Sequence, residues 1–511
     1  MKKTVVLLMI ITVFSKILGF LRDVFLSFFY GASNMSDIFL ISIMIPTVIF
    51  ALVGNAITTG FIPMYTRIEA EEGSSSSKIF TKQVTNGVLL VGSIVIGIGM
   101  AFTEPLVKIF ASGFRGETLE TAIIFTRISL IGIYFHGMVF ILTAYLQLKN
   151  VFIIPALIGF PANIVLMITI YISSFVNVYL LAIGSVLSVF LQFLLLLVFA
   201  LKKGFRFQVG LHLRNGNLQK LMIITFPAMI GSGIDQVNVL VDRTMASWIS
   251  VGGISALNYA ETLNLFAAGI ITTSIISVLY PKISTLASLG YTEALKDTLS
   301  GGIRMISICI FPAMTMFMAF SEVFVSLLYG RGQFDQTAIH LTSTSLFYYS
   351  IGMTGYCLHK ILSNVFFAFQ DTKTPMYTGG LVLLANVVLN ILLSPFLGIG
   401  GLALATSISS LGGAFFLGYR LKKTIGDFGI CELKRFSLKT MAVSLTTTVV
   451  AKGLYLWFLD YFHMFFSLFF SLTVAALLYA GLLHLFRIYD LKGLLSELLR
   501  REMQPEENKA S

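Results

Sequence analysis

Fourteen apolar runs, each long enough to cross a bilayer as a helix, follow one another along this chain, at roughly 4–30, 36–66, 79–111, 118–147, 152–173, 178–201, 218–249, 254–280, 298–328, 336–369, 375–394, 398–421, 438–459 and 464–486. A hydrocarbon layer about 30 Å thick takes about 20 residues of helix to span. The runs do not alternate polar and apolar residues, as the strands of a membrane barrel would. A soluble core is excluded too: cores stop growing at about 250–300 residues, and this chain has 511, only 12% of them charged. Cys309, Cys357 and Cys431 are too far apart for a disulfide framework or a metal motif. The chain reads as an all-α polytopic membrane protein of fourteen spans. Its start, Met1-Lys2-Lys3 followed by an apolar stretch, lacks a small-x-small cleavage site and continues through Lys16, Arg22 and Asp23, so it reads as an uncleaved first span.

A net charge of +11 would point a soluble chain toward nucleic acid; here its distribution argues for orientation instead, and no nucleic-acid partner is expected. Of the 35 Lys and Arg residues, 26 fall on one side of the predicted spans, three (Lys108, Arg115, Arg331) on the other, and six inside spans. Basic loops stay on the cytoplasmic side. The side rich in basic residues is therefore expected to be cytoplasmic, and an even number of spans puts both termini there.

The chain also repeats. Ile57-Thr58-Thr59 returns as Ile271-Thr272-Thr273, Asn163 as Asn386, Pro155 as Pro375, and Leu201-Lys202-Lys203 as Leu421-Lys422-Lys423, at offsets of 214 to 223 and in the same order. Six spans per copy is an even number, so both copies have the same topology, a parallel repeat about an axis along the membrane normal. The expected organisation is a six-span lobe at 1–203, a linker at 204–217, a second lobe at 218–423, spans 13 and 14 at 424–487 outside the repeat, and a tail at 488–511. Two related bundles invite rocking about a central site, that is, alternating access.

Charges inside spans cost about 2.5–3.5 kcal/mol each at mid-bilayer and mark function by default. They gather at the start of each lobe: Lys16, Arg22 and Asp23 in span 1, Asp37 at the start of span 2, Asp242 and Arg243 in span 7, and Glu261 in span 8. These seven admit two readings. In one, Arg22-Asp23 and Asp242-Arg243 form structural ion pairs; since adjacent helical residues do not face each other, each charge would need a partner on another helix. In the other, they line a cationic cavity for an anionic substrate, with Lys16, Arg22, Asp23, Asp37, Arg243 and Glu261 as the candidate contacts. Lys16 and Arg22 stand about 120° apart on a regular helix, so sharing one ligand needs a wide cavity or a bend near Gly19. No phosphate-binding loop, nucleophile–base set or zinc motif is present. The expectation is a transporter, not an enzyme, with no cofactor.

Several strings resemble the MurJ/MviN family of lipid II flippases: Phe14-Ser15-Lys16-Ile17-Leu18-Gly19-Phe20-Leu21-Arg22-Asp23 with Ser36-Asp37-Ile38-Phe39, Tyr329-Gly330-Arg331-Gly332-x-Phe334, and Gln370-Asp371-Thr372-Lys373-Thr374-Pro375. The resemblance covers essentially the whole chain. It implies the multidrug/oligosaccharidyl-lipid/polysaccharide exporter fold, a central cationic cavity, and a polyprenyl-tail groove formed by spans 13 and 14. The implied substrate is undecaprenyl-pyrophosphate-linked peptidoglycan precursor, with the bilayer and cell-wall synthesis proteins as partners. It further implies Na⁺ or the membrane potential as the coupling source, with a cation site at Asp242, Asn386, Asn390 and Thr406. Departures are specific. Lys16 stands where members carry arginine; Phe50 or Ala51 and Thr262 stand where two further arginines fall; Asn390 replaces a frequent aspartate. Alternatives are a flippase for another polyprenyl-pyrophosphate-linked glycan, of capsule or teichuronic type, and a drug/cation antiporter of the same fold.

Overall fold

The computed structural model describes residues 2–207 and 216–486. The expected tail at 488–511 and most of the expected linker at 204–217 lie outside these residues. Every element described is a helix: α1 (Lys2–Tyr30), α2 (Asn34–Ala101), α3 (Thr103–Phe110), α4 (Gly116–Leu130), α5 (Gly132–Leu148), α6 (Ile153–Leu157), α7 (Gly159–Ser173), α8 (Leu180–Lys202), α9 (Gly216–Ile249), α10 (Gly253–Ser288), α11 (Thr292–Ala319), α12 (Ser321–Leu328), α13 (Gln336–Ala368), α14 (Lys373–Leu397), α15 (Ile399–Ile425), α16 (Ile430–Leu459) and α17 (Met464–Leu485). Eleven stretches are long and apolar enough to cross a membrane. The helices α1, α9 and α13, of 29, 34 and 33 residues, have the length to span as well; α1 and α9 also carry the intramembrane Arg–Asp pairs. The total is consistent with fourteen spans.

Two expectations about boundaries change. Residues 67–82, read as a loop between spans 2 and 3, continue the helix, and α2 is interrupted only at Gly73, with φ 88°. A positive φ is open to glycine without a Cβ penalty, so one residue makes the break where a polar loop was expected. The run at 79–111 also ends early: α3 is a separate short helix after Phe102, and α12 is likewise split from α11 at Phe320.

The repeat is visible in the backbone. Among the described residues, only two other than glycine have a positive φ, Asn150 at 59° and Gln370 at 60°, and they are 220 positions apart. Each ends a long helix in the same way. The N–H of Val151 donates to Leu146 O at 2.9 Å and that of Asp371 to Phe366 O at 2.9 Å, while Asn150 and Gln370 donate to Gln147 O and Phe367 O, both at 3.0 Å. This is a left-handed cap that satisfies the orphan carbonyls of a helix end, and it recurs at equivalent places in the two copies.

Contacts divide the chain into two compact units that do not follow the repeat boundary. Unit one gathers residues 1–266, 322–349 and 375–409; unit two gathers 267–321, 350–374 and 410 onward. Within unit one, α2 packs on α4, α5 and α9, α7 packs on α1 and α8, and α5 on α8. A core there includes Leu142, Leu146, Leu196 and Ala200, all fully buried. Unit two has its own core, with Leu299, Ile306, Ile310, Met353, Leu417 and Leu421 buried.

In unit two, α16 packs on α11 along a polar seam. Thr448 Oγ1 donates to Thr315 Oγ1 at 2.8 Å, Ser307 and Ser437 hydroxyls lie 3.4 Å apart, and Arg304 Nη2 is 3.2 Å from Glu432 Oε2. Lys452 donates from Nζ to Ala319 O at 3.0 Å and sits over the rings of Phe320 and Tyr455. A lysine at the carboxyl end of α11 meets both its free carbonyl and its dipole. The second added helix, α17, packs on α16, and Tyr479 donates to Ile308 O at 2.8 Å. The aromatic side chains of Phe465, Phe466, Phe469 and Phe470 remain exposed.

Candidate functional site

The first-lobe charges sit on α1, which is helical through Gly19. Lys16 is exposed and has no hydrogen-bond or ion-pair partner among the described residues. Arg22 and Asp23 depart from the expectation that neighbours in sequence cannot meet. Arg22 Nε and Nη2 both donate to Asp23 Oδ1, at 3.0 and 2.7 Å. The rule concerns where Cβ atoms point; a four-bond arginine arm is long enough to fold back across the helix surface. The result is asymmetric: Asp23 is 2% exposed and the Arg22 side chain 32%. Asp23 also uses its second oxygen, Oδ2 accepting from Thr262 Oγ1 on α10 at 3.1 Å.

The second-lobe pair behaves differently. Arg243 on α9 turns away from Asp242, donating from Nη2 to Glu261 Oε2 at 2.6 Å and from Nη1 to Ile254 O at 3.2 Å. Its side chain is 7% exposed. It was expected to serve as a substrate-binding cation; in this structure it is buried and paired with Glu261, and a desolvated guanidinium needs such a partner.

Asp242 faces the opposite way. Its Oδ1 accepts from Asn390 Nδ2 at 2.6 Å and its Oδ2 from Thr406 Oγ1 at 3.1 Å. One end of the Asn386 amide lies 3.0 Å from Thr406 Oγ1 and the other 2.9 Å from Asn390 Nδ2. Asp242, Asn386, Asn390 and Thr406, expected as a cation set, are thus in one cluster. Asn386 and Asn390 are fully buried and Asp242 is 6% exposed. The Asn390 Oδ1 atom is buried with no hydrogen-bond partner. An orphaned buried carbonyl oxygen beside a carboxylate and a hydroxyl fits a hard cation, which takes oxygen ligands.

Asp37 lies at one end of the bundle, not in an open site. It is 1% exposed, and Oδ1 accepts from Ser255 N at 2.7 Å, joining the start of α2 to the start of α10. The Ser36 and Ser255 hydroxyls meet at 3.3 Å, and Tyr259 donates to Gly31 O at 3.1 Å. Asp37 was expected to touch substrate; in this conformation the carboxylate is consumed by a contact between the two repeats, because α2 and α10 both begin there.

Around that contact the backbones of the two repeats meet twice, in related ways. Gly332, in the loop before α13, lies against Phe28 of α1, and the next residue, Gln333, donates its N–H to Phe28 O at 2.9 Å. Gly113, in the loop before α4, lies against Ser247 and Trp248 of α9, and its N–H donates to Ser247 Oγ at 2.9 Å. A Cβ on either glycine would collide with a backbone carbonyl of the other repeat. Gly113 and Gly332 are 219 positions apart, Phe28 and Trp248 are 220 apart, and so each repeat's loop clasps the first helix of the other. Trp248 Nε1 donates to Ser112 Oγ, and Thr244 Oγ1 to Ile109 O at 2.8 Å, in the Gly113 clasp. These loops carry Arg115 and Arg331, two of the three basic residues assigned to the charge-poor side. Sequence reasoning missed the clasps and the bond from Thr262 to Asp23. The Arg331-Gly332 string was noticed, but a glycine's close approach has no pattern of its own, and a threonine in an apolar helix has no signature.

Comparison with known proteins places this architecture. The family model described as "Lipid II flippase MurJ" matches residues 26–476. A relative from Vibrio cholerae named "Probable lipid II flippase MurJ" is 27% identical over 472 residues, covering 90% of this chain and 89% of its own. One of the same name from Thermotoga maritima is 28% identical over 448 residues, covering 86% and 87%. A solved structure titled "Lipid II flippase MurJ, inward closed conformation" superposes with a TM-score of 0.82 at 25% identity, covering 94% of this chain and 98% of that one. An inward-facing multidrug transporter of the MATE family, of the MOP superfamily, gives a TM-score of 0.62 at 14% identity over 82% and 96% of the two chains, a likeness of fold alone.

Proposed function

Because this chain belongs to the MurJ family, we propose that it moves lipid II, the undecaprenyl-pyrophosphate-linked peptidoglycan precursor, from the inner to the outer leaflet of a bacterial cytoplasmic membrane by alternating access, with both termini in the cytoplasm. The observation that carries the reading is Arg22: an intramembrane guanidinium, one-third exposed, on the same helix as a second cation, Lys16, that has no ion-pair partner among the described residues. A neutral substrate gives no reason to keep them there at about 2.5–3.5 kcal/mol apiece.

The division of labour follows from the contacts. Asp23 takes Nε and Nη2 of Arg22 and thereby fixes the plane of the guanidinium, leaving Nη1 without a hydrogen-bond partner among the described residues. A phosphate oxygen approaching Nη1 gains a charge-assisted hydrogen bond, shorter and stronger than a neutral one. The Arg22–Asp23 pair is neutral overall, so the arginine is held in the membrane at reduced cost until a more highly charged anion arrives. Lys16 is six residues away, about 9 Å of helical rise, and adds a point charge that strengthens attraction without fixing geometry. Outward release requires the Gly113 and Gly332 clasps to part.

A Na⁺ gradient would supply free energy through the Asp242, Asn386, Asn390 and Thr406 cluster, whose oxygens suit that ion. The exposed aromatic face of α17 suits a polyprenyl tail, whose burial is worth about 0.8 kcal/mol per CH₂. A photo-crosslinker at Phe469 is expected to capture polyprenyl substrate above the level of bulk phospholipid; capture in proportion to lipid abundance would remove the groove from the account. The function itself is tested by rescue. A strain depleted of its lipid II flippase is expected to grow when this chain is expressed, and failure of a correctly inserted chain to restore growth would overturn the assignment.

A further inference from the structure

The polar side chains of unit one form a continuous chain whose central link is the dipeptide Glu261-Thr262 on α10. At one end, Arg22 is held by Asp23, and Asp23 by Thr262 at 3.1 Å. At the other, Glu261 holds Arg243 at 2.6 Å, and Arg243 is adjacent in sequence to Asp242, which is held by Asn390 and Thr406. Consecutive helical residues point about 100° apart. Thr262 therefore faces α1 while Glu261 faces α9, and one short stretch of α10 touches both the aspartate that holds Arg22 and the arginine next in sequence to Asp242. The same stretch begins in the inter-repeat contact, where Ser255 N donates to Asp37 and Tyr259 OH to Gly31 O.

Resting on the flippase reading above, we infer that Glu261-Thr262 is the coupling element that links cation occupancy at Asp242 to anion binding at Arg22, with Thr262 as a positioning residue acting through Asp23. The physical requirement for coupling is an element with two arrangements that both sites bias. The first three turns of α10 meet it: they are bound to α1 and α2 when the clasps are closed and must leave them when the clasps part. A cation drawing Asp242 toward Asn390 Oδ1 moves α9, and Arg243 transmits that displacement to Glu261. Thr262, on the next position, carries it to Asp23 and so to the orientation of Arg22. Where family members place a cation, this chain has a hydroxyl whose observed partner is Asp23, so Thr262 contributes by linkage and not by charge.

The test uses the full chain in nanodiscs, with NaCl or choline chloride and with undecaprenyl pyrophosphate as the anionic probe. In the parent protein, saturating Na⁺ is expected to change the Kd for undecaprenyl pyrophosphate by about fivefold or more, and the lipid to change the Na⁺ affinity by the same factor, since coupling is reciprocal. Thr262→Val and Glu261→Gln should each bring that ratio close to one with both ligands still bound, and Thr262→Ser should keep it. A ratio that survives in both Thr262→Val and Glu261→Gln overturns the inference, as does a ratio of one in the parent chain. A parent that binds the lipid but not Na⁺ removes this inference and leaves the flippase reading standing. A parent that binds no undecaprenyl pyrophosphate removes both.

Discussion

Each repeat of this chain opens with an adjacent arginine and aspartate, and the two pairs do opposite things. Arg22 and Asp23 bond to each other, and the arginine is left one-third exposed. Asp242 and Arg243 ignore each other: the arginine is buried against Glu261, and the acid is buried among Asn390 and Thr406. Reversal of the order along the helix accounts for much of this. At offsets of 219 to 221 the aspartate and the arginine exchange faces, so α1 turns its acid toward α10 while α9 turns its arginine there. The same composition thus yields a partly exposed arginine in one repeat and an acid buried among polar side chains in the other.

The largest expected effect breaks the comparison directly. Arg22→Ala should abolish transport with normal membrane insertion, and because it leaves the buried Asp23 carboxylate without its guanidinium, a lower unfolding temperature accompanies the loss. Arg243→Ala should lower stability, by about 3 kcal/mol, since it strands a buried partner; this is the lower end of the range because Glu261 is itself one-third exposed. Arg243→Met combined with Glu261→Met should recover most of that stability. Loss of transport by Arg243→Ala with no change in thermal unfolding would show that the two arginines share one role.

Lys16 sharpens the same contrast with a smaller effect. If the first repeat reads an anion by charge, Lys16→Arg should retain growth in a rescue assay and Lys16→Glu should not. Equal growth of the two would confine the anion site to Arg22.

Smaller still is a control in unit two. Thr448→Val removes a buried hydroxyl bond to Thr315 on the α11–α16 seam and should cost about 1 kcal/mol, read as a modest drop in unfolding temperature with transport unaffected. A transport defect there would carry the mechanism beyond the polar chain of unit one.

The smallest effect concerns pH. Asp371 lies in the loop before α14. Burial pushes its carboxyl up, but hydrogen bonds from the Thr374 hydroxyl and the Thr374 and Lys373 N–H groups outweigh this and hold it below the usual carboxylate range. A depressed folded-state value stabilises above the unfolded value, about 3.9, and that contribution fades as pH falls through the folded value. Asp371→Asn should therefore differ from the parent in thermal unfolding at pH 6, and the difference should shrink as the pH falls below about 3.9. A difference that is constant with pH would assign the effect to geometry alone.

What the sequence made legible was whatever repeats or has a period. Helix class and the two copies followed from apolar run length and from matched strings, whereas the grouping of Asp242, Asn386, Asn390 and Thr406 came only from the family resemblance. What stayed hidden depended on side-chain reach and backbone approach. The Arg22–Asp23 bond violates a rule about Cβ directions because arginine is long. Gly73 interrupts the 68-residue α2 inside a stretch that otherwise favours helix. Gly113 and Gly332 matter for the carbonyls they let in, and those carbonyls belong to distant parts of the chain.

The most direct test of the central claim, that an intramembrane arginine in the first repeat reads the pyrophosphate of a translocating lipid, is a translocation measurement. The full chain and its Arg22→Ala variant would be reconstituted at equal density in liposomes carrying labelled lipid II on one leaflet, with appearance on the other leaflet followed over time. Transfer by the parent and none above empty liposomes by Arg22→Ala is the predicted result. Equal transfer by both proteins, or none by a correctly folded parent, would contradict it.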